Sequence, residues 1–327
     1  MALPSSSGTL AAVLLSGCHR EHVQSVLHPA SADSAEVAWL WWLLCGVCAA
    51  VFLVVVVLTG IAVARPRASD GPPALGHRFI VMSGIVVPSL VLFVLLVIAL
   101  RSQASLRPPE EGPTIRVIGH QWWWEVEYPE EGIVTANELH IPVGVPVRIE
   151  LRAGDVIHSF WVPNLNGKMD MLPERDNVTW LHADRPGVYR GQCAEYCGTQ
   201  HALMALEVIA LPQAEYDEWI AARQPPRPAP SPERVAVLRH GQQVFFEAGC
   251  SKCHAIRGTA TTSEKGPDLT HIGSRRTIGA ALLPNNRGNL AGWIANPQAL
   301  KPGNLMPPTH LESADLHALV AYLESLK

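Results

Sequence analysis

Gly191-Gln-Cys-Ala-Glu-Tyr-Cys-Gly-Thr-Gln-His-Ala-Leu-Met204 gathers two thiols, an imidazole and a thioether into one short segment. The spacing is Cys193-x3-Cys197-x3-His201-x2-Met204, and His158 stands upstream, at the end of an alternating strand. Thiolate, imidazole and thioether are soft to borderline donors, the set that suits copper. A mononuclear blue-copper site needs one thiolate. With two, the economical arrangement is dinuclear: both sulfurs bridge two copper ions, and each copper takes one imidazole. Delocalised charge and a rigid loop keep such a centre nearly unchanged on reduction, which favours electron transfer over substrate chemistry. A rival reading is structural zinc on His158, Cys193, Cys197 and His201, which leaves Met204 idle on an unusual spacing. A Cys193–Cys197 disulfide is the other.

Around this segment, residues 102–211 read as short strands broken by Pro and Gly. Val147, Ile149 and Leu151 alternate with Arg148, Glu150 and Arg152, the period of a half-buried strand. Turn signals at Pro142–Pro146, Pro163–Gly167 and Arg185-Pro186-Gly187 suit a sandwich. Farther upstream, residues 39–63 and 79–100 carry no charge at all. At 1.5 Å per residue they reach about 37 and 33 Å, enough to cross a hydrocarbon core about 30 Å thick. Arg65, Arg67, His77 and Arg78 lie between these spans and Asp33 and Glu36 before them, which predicts an inside loop and both long ends outside. Residues 1–18 end in Leu15-Ser16-Gly17-Cys18, similar to a bacterial lipobox that would leave a lipidated Cys18, although no Lys or Arg precedes it. Cys45 and Cys48, one turn apart inside the first span, read as small buried hydrophobes. With 25 basic against 29 acidic residues and only 17% of positions charged, a polybasic nucleic-acid binder is disfavoured.

Downstream, residues 213–223 form a short amphipathic helix, and the Pro-rich stretch 225–232 is a semi-rigid linker. A second soluble unit, 233–327, opens with a helix followed by Cys250-Ser-Lys-Cys253-His254. Two thiols flanking a two-residue gap can add to the vinyl groups of a haem, and the adjacent imidazole then becomes the proximal iron ligand. Met306, the only methionine after this motif, sits in the stiff loop Asn304-Leu-Met-Pro-Pro308 and is the expected distal ligand, with His271, His310 and His317 competing. Trp293 and a C-terminal helix bearing Leu316, Leu319, Val320 and Leu323 on one face are expected to wall the pocket.

GQCAEYCGTQHALM, together with DVIHSFWVP (155–163), GHQWWWE (119–125) and two preceding spans, resembles subunit II of the haem–copper cytochrome c oxidases, over residues 24–211. The resemblance implies a two-helix membrane hairpin (19–101) and a cupredoxin-like β-sandwich (102–224). It also implies that His158, Cys193, Cys197, His201 and Met204 bind two coppers, with Glu195 adding its backbone carbonyl. The Glu195 side chain would reach magnesium at the interface with subunit I. Trp122, which alone would read as core, takes the family's role of passing electrons to copper. Residues 233–327 resemble an all-α class I cytochrome c. Implied partners are subunit I, which would hold the oxygen-reducing site, subunit III, and a donor such as a cytochrome c or a quinol–cytochrome c reductase. The implied location is the bacterial inner membrane with both metal domains on the outer side. Many relatives place a Glu seven residues before the second span's proline; Val81 stands there before Pro88, so proton entry needs another group. The copper motif also occurs in nitrogen-oxide reductases, and a freestanding copper–haem shuttle or copper-delivery protein is a further alternative.

Residues 102–224 carry nine Lys and Arg against 18 Asp and Glu, whereas 233–327 carry ten against seven. The two domains are therefore expected to attract, with the haem edge over Trp122 and Asp155 in the acidic target. A polyproline linker of eight residues spans at most about 25 Å, so it confines the haem domain without fixing its pose.

Overall fold

The computed structural model describes residues 23–65, 76–106, 112–224 and 232–327. Cys18, the inter-span loop 66–75 and the linker residues 225–231 lie outside them. Helix α1 (Ala32–Ala64) begins seven residues before the uncharged block. The cause is a capping box: Ser31 Oγ accepts the Ser34 N–H at 3.1 Å, and Ser34 Oγ accepts the Ser31 N–H at 3.3 Å. The added turns rest on the β domain, where Ser34 Oγ donates to the Asn164 carbonyl at 2.7 Å and Trp180 Nε1 donates to Asp33 at 2.7 Å. The second span is α2 (His77–Val81), one π-helical turn (Met82–Val86) and α3 (Val87–Ser105). The wider turn lies just before Pro88, whose ring would crowd the preceding carbonyls of a regular helix. Both helices are long and apolar enough to cross a membrane, and none of their most apolar windows is buried. Trp39, Trp41 and Trp42 are exposed at the outer end of α1, where an interfacial aromatic belt belongs. Glu36 of α1 accepts a hydrogen bond from Ser102 of α3, tying the helices there.

Ten strands follow in two five-stranded sheets. One has the order β3 (Ile133–Ala136), β2 (Trp123–Tyr128), β1 (Thr114–His120), β5 (Val147–Ala153), β8 (Asn177–Leu181). The other runs β4 (Glu138–Pro142), β10 (Ala205–Leu211), β9 (Gly187–Cys193), β6 (His158–Trp161), β7 (Met169–Met171). β1 pairs with β5, and β4 with β10, in parallel; the other pairs are antiparallel. Strand β5 buries Val147, Ile149 and Leu151 and turns Arg148, Glu150 and Arg152 outward, as its period of two predicts. Trp124, Ile115, Leu139 and Phe160 fill the space between the sheets. Helix α4 (Gln213–Ala221) closes one end, laying Trp219 on the His140 ring with centroids 4.1 Å apart.

The last unit is helical: α5 (Pro232–Glu247), α6 (Arg287–Ala295), α7 (Pro297–Leu300) and α8 (Ser313–Ser325), plus a two-residue ladder of β11 (Thr277–Ile278) and β12 (Leu283–Pro284). Helices α5 and α8 cross closely at Gly241, where a Cβ would lie 2.1 Å from the Ala318 carbonyl oxygen. Leu319, Val320 and Leu323 join Phe245, Ile256, Leu290 and Ile294 in the core, with Leu316 and Trp293 packed at its edge.

Candidate functional site: two facing metal-ligand loops

Sheet pairing brings the first donor set together. The alternating strand β5 stops at Ala153, so His158 does not end it but opens β6. Strand β6 pairs with the end of β9, Phe160 opposite Cys193, which sets His158 beside Cys193. The Cys193 N–H donates to the Met204 carbonyl at 2.9 Å, closing the mouth of the loop that carries Cys197 and His201. Cys193 Sγ lies 3.8 Å from Cys197 Sγ and 3.9 Å from His158 Nδ1. Cys197 Sγ lies 3.6 Å from His201 Nδ1 and 3.8 Å from Met204 Sδ. The Glu195 carbonyl is 3.1 Å from Cys193 Sγ, while its side chain is exposed. The ligand atoms of His158, Cys193 and Cys197 all fall within 4.8 Å of one another, and all three residues are buried. Two sulfurs at bridging separation, each with its own imidazole, fit a pair of copper ions. They also leave the sulfurs too far apart for a disulfide, whose S–S length is about 2.0 Å.

Hydrogen bonds from Cys197 and His158 stabilise the Cys193 thiolate against burial and hold its pKa down to about 3, while Cys197 is pushed up by that neighbouring thiolate. Burial opposes the charge on His158, but Asp155 and Cys193 hold its pKa above the ordinary imidazole value. Asp155 is the orienting group: it contacts His158 Nε2 at 2.8 Å, leaving Nδ1 to face the sulfur, and accepts the Gln121 N–H at 2.6 Å. The consecutive tryptophans take three different places. Trp124 is fully buried, Trp123 stacks on His120 with centroids 4.5 Å apart, and Trp122 donates its indole N–H to the Cys197 carbonyl at 3.0 Å.

In the helical unit, Cys250 opens one 3₁₀ turn and Cys253 caps it. His254 Nδ1 lies 2.8 Å from the Pro267 carbonyl, which fixes the tautomer with Nε2 available to a metal. Burial lowers the pKa of His254, favouring the neutral ring that iron requires. A Cβ at Gly266 would come within 2.8 Å of His254 Cε1, so glycine gives the ring its room. The Met306 loop is braced by Gln298, whose amide donates to the Asn304 and Met306 carbonyls, each at 2.8 Å. Of the competing imidazoles, His310 and His317 are exposed and His271 is buried. Two thiols, an oriented imidazole and a braced thioether fit a covalently held haem.

A family model described as cytochrome c oxidase subunit II, periplasmic domain, matches residues 132–211, and one described as cytochrome c matches 238–327. Cytochrome c oxidase subunit 2 of Alkalihalophilus pseudofirmus is 39% identical over 338 positions, covering 99% of this chain and 96% of that protein. The chain belongs to the cytochrome c oxidase subunit II family. Its Bacillus subtilis relative is 30% identical, covering 77% of this chain and 76% of that one. The crystal structure of the periplasmic domain of oxidase subunit II of Bradyrhizobium japonicum is 30% identical, covers 36% of this chain and 96% of that one, and superposes with a TM-score of 0.35. Membership brings a dinuclear copper centre with the oxidase domain and a haem c with the cytochrome domain. It sets aside the nitrogen-oxide reductase and free-shuttle alternatives.

In this subunit II the cytochrome domain is seated on the copper domain, with a contact at Trp122 but through other partners than Asp155. Lys301, only 3% exposed, sends its ammonium to the carbonyls of Trp122 and Leu203 at 2.9 Å each, and of Gly279 at 3.3 Å. Burial depresses its pKa to about 8. Gln200, next to His201, donates to the Pro302 carbonyl. In the reverse direction, Glu138 of the copper domain accepts the Arg276 and Thr277 N–H groups, the latter at 2.9 Å. Arg275 is buried beside it with Nε donating to Thr135 Oγ1 at 3.3 Å, and Arg276 pairs with Glu207 at 3.1 Å. Asp155, expected in the acidic target, is instead committed to His158 and Gln121. Sequence reasoning did not single out Lys301, Glu138, Arg275 or Gln298. Each acts through tertiary neighbours, and none falls in a ligand spacing.

Proposed function

We propose that this chain is the electron-entry subunit of its oxidase, with the donor reaching the cytochrome domain first and the copper domain passing electrons to subunit I. In this reading Cys250 and Cys253 tether haem through thioethers and His254 and Met306 hold its iron. His158, Cys193, Cys197, His201, Met204 and the Glu195 carbonyl hold two coppers. When bound, these groups supply one-electron chemistry; the chain supplies placement. Asp155 orients His158, Trp122 packs its indole on the copper loop, and Gln298 braces Met306. The observation that carries the reading is the meeting of the two ligand loops: the segment leading to Met306 rests, through Lys301 and Pro302, on the segment holding Cys197 to Met204.

The two apolar helices support a place in the bacterial cell membrane with both metal domains on the outer face, beside subunits I and III. Val81 offers no carboxylate, so proton entry is assigned to subunit I. Among the described residues only His158, Cys193 and Cys197 form a cluster of three or more potential ligands. Magnesium at Glu195 would thus need ligands from a partner. The test is direct. The purified complex, given a reduced cytochrome c, should consume oxygen, and Met306→Ala should abolish the thioether-to-iron absorption band of the oxidised haem. A band already absent from the unmodified protein would reassign the ligand to His310, and one that survives the substitution would overturn the Met306 assignment.

A further inference from the structure

We infer that Lys301 is a latch, a positioning residue that holds the chain's own cytochrome domain in one pose over Trp122; the inference rests on the electron-entry reading above. An ammonium has three N–H donors and no acceptor. Here it meets three carbonyls, two from the copper domain and one from its own, so every donor is satisfied across the domain boundary. The copper-domain carbonyls are those of Trp122, whose indole bonds the Cys197 carbonyl, and Leu203, which immediately precedes Met204. Lys301 itself stands five residues before Met306. One side chain therefore joins the loop of each metal site.

The alternative use of a lysine here, diffuse attraction by a solvated charge, does not fit. A solvated charge keeps its water, and this one is buried and fully bonded. A charge taken out of water is costly unless it is paired or hydrogen-bonded throughout, which makes undocking by small shifts unfavourable. Gly303 adds to the fit. Its φ of +82° turns the chain immediately after Lys301-Pro302, and a Cβ there would approach Thr199 Cγ2 to 3.1 Å. A latched domain has a consequence that a tethered one lacks: transfer from haem to copper needs no domain diffusion. In that transfer a bound haem would give up one electron, ferrous to ferric, and a bound copper pair would accept it, mixed-valent to fully reduced.

The test uses the intact oxidase and reads a second contact between the domains, one in which Lys301 takes no part. The Arg276 and Thr277 amides bond to Glu138, elsewhere in the interface. In the unmodified complex their hydrogen exchange should be protected, and haem-to-copper transfer should not change with solvent viscosity. Lys301→Met should speed exchange at 276–277 at least tenfold, slow transfer at least tenfold and make it viscosity-dependent, while the Met306–iron band persists. Unchanged exchange in the variant overturns the latch, as does loss of the Met306–iron band, which would place the effect inside the cytochrome domain. Should the variant fail to assemble, unprotected amides or viscosity-dependent transfer in the unmodified complex would still overturn it. Protected amides with no electron reaching copper would instead leave the latch standing and refute the electron-entry reading.

Discussion

The Cys193 and Cys197 sulfurs lie 3.8 Å apart, so a charge on one opposes a charge on the other: hydrogen bonds push the Cys193 pKa down, and its neighbour pushes that of Cys197 up. A metal held across both sulfurs would need both as thiolates and would cancel that repulsion, so each sulfur is needed. Cys193→Ser and Cys197→Ser are each expected to abolish the dinuclear centre, whereas Met204→Leu should keep two coppers per chain and shift their potential, because a weak axial ligand tunes more than it holds. Elemental analysis and the electron-spin spectrum decide this. One copper with a blue-copper spectrum, or zinc alone, would sink the assignment. These ligands were legible because most of them fall in one loop with donor chemistry that few other sites need. The task of Asp155 was not, since its second partner, the Gln121 N–H, is 34 residues away and is met only after the sandwich closes.

At the scale of elements, the His140–Trp219 stack is one of the contacts that join α4 to the β-sandwich, and it carries a pH dependence. Burial, then the nearby Arg223 and Arg276 charges, push the His140 pKa well below 6.5. An unfolded chain gains a proton at this residue near pH 6.5 and the folded one does not. Its contribution is therefore complete above that pH and is lost as pH falls toward the folded value, at up to about 1.4 kcal/mol per pH unit. Melting temperatures at pH 7 and pH 5 should differ less in His140→Phe, which keeps the stack and removes the titration, than in the unmodified protein. An equal difference in both would show that other groups set the acid response. Periodicity made β5, α4 and α8 legible beforehand. The early start of α1 was not, because hydropathy marks where lipid begins while the Ser31–Ser34 box marks where the helix begins. Strands β11 and β12, two residues each, are too short to show alternation at all.

For the whole molecule, the question is whether net charge or buried contacts govern how the two metal domains meet. Their opposite signs pointed to an attraction that salt would screen. The interface is of another kind: Lys301, Arg275 and Glu138 are all buried, while the Arg276–Glu207 pair and the contacts of Arg190, Arg223 and Arg257 with Ala281, Ser274 and Gly132 are partly open to solvent. Buried charges are weakly screened, so salt should slow the first encounter of the domains and leave the docked pose intact. Removing Glu138 is different in kind. It deprives the Arg276 and Thr277 amides of their acceptor and takes one of two nearby carboxylates from the buried Arg275 guanidinium. Leaving buried donors without their acceptor costs about 1–3 kcal/mol, roughly ten- to a hundredfold in the docking equilibrium. Pulsed dipolar spectroscopy between ferric haem and the mixed-valent copper pair measures the pose directly. The unmodified complex should give one narrow distance at low and high salt, and Glu207→Gln should preserve it, whereas Glu138→Ala should broaden it. A distribution that widens with salt in the unmodified complex, or stays narrow in Glu138→Ala, would return the decision to long-range charge.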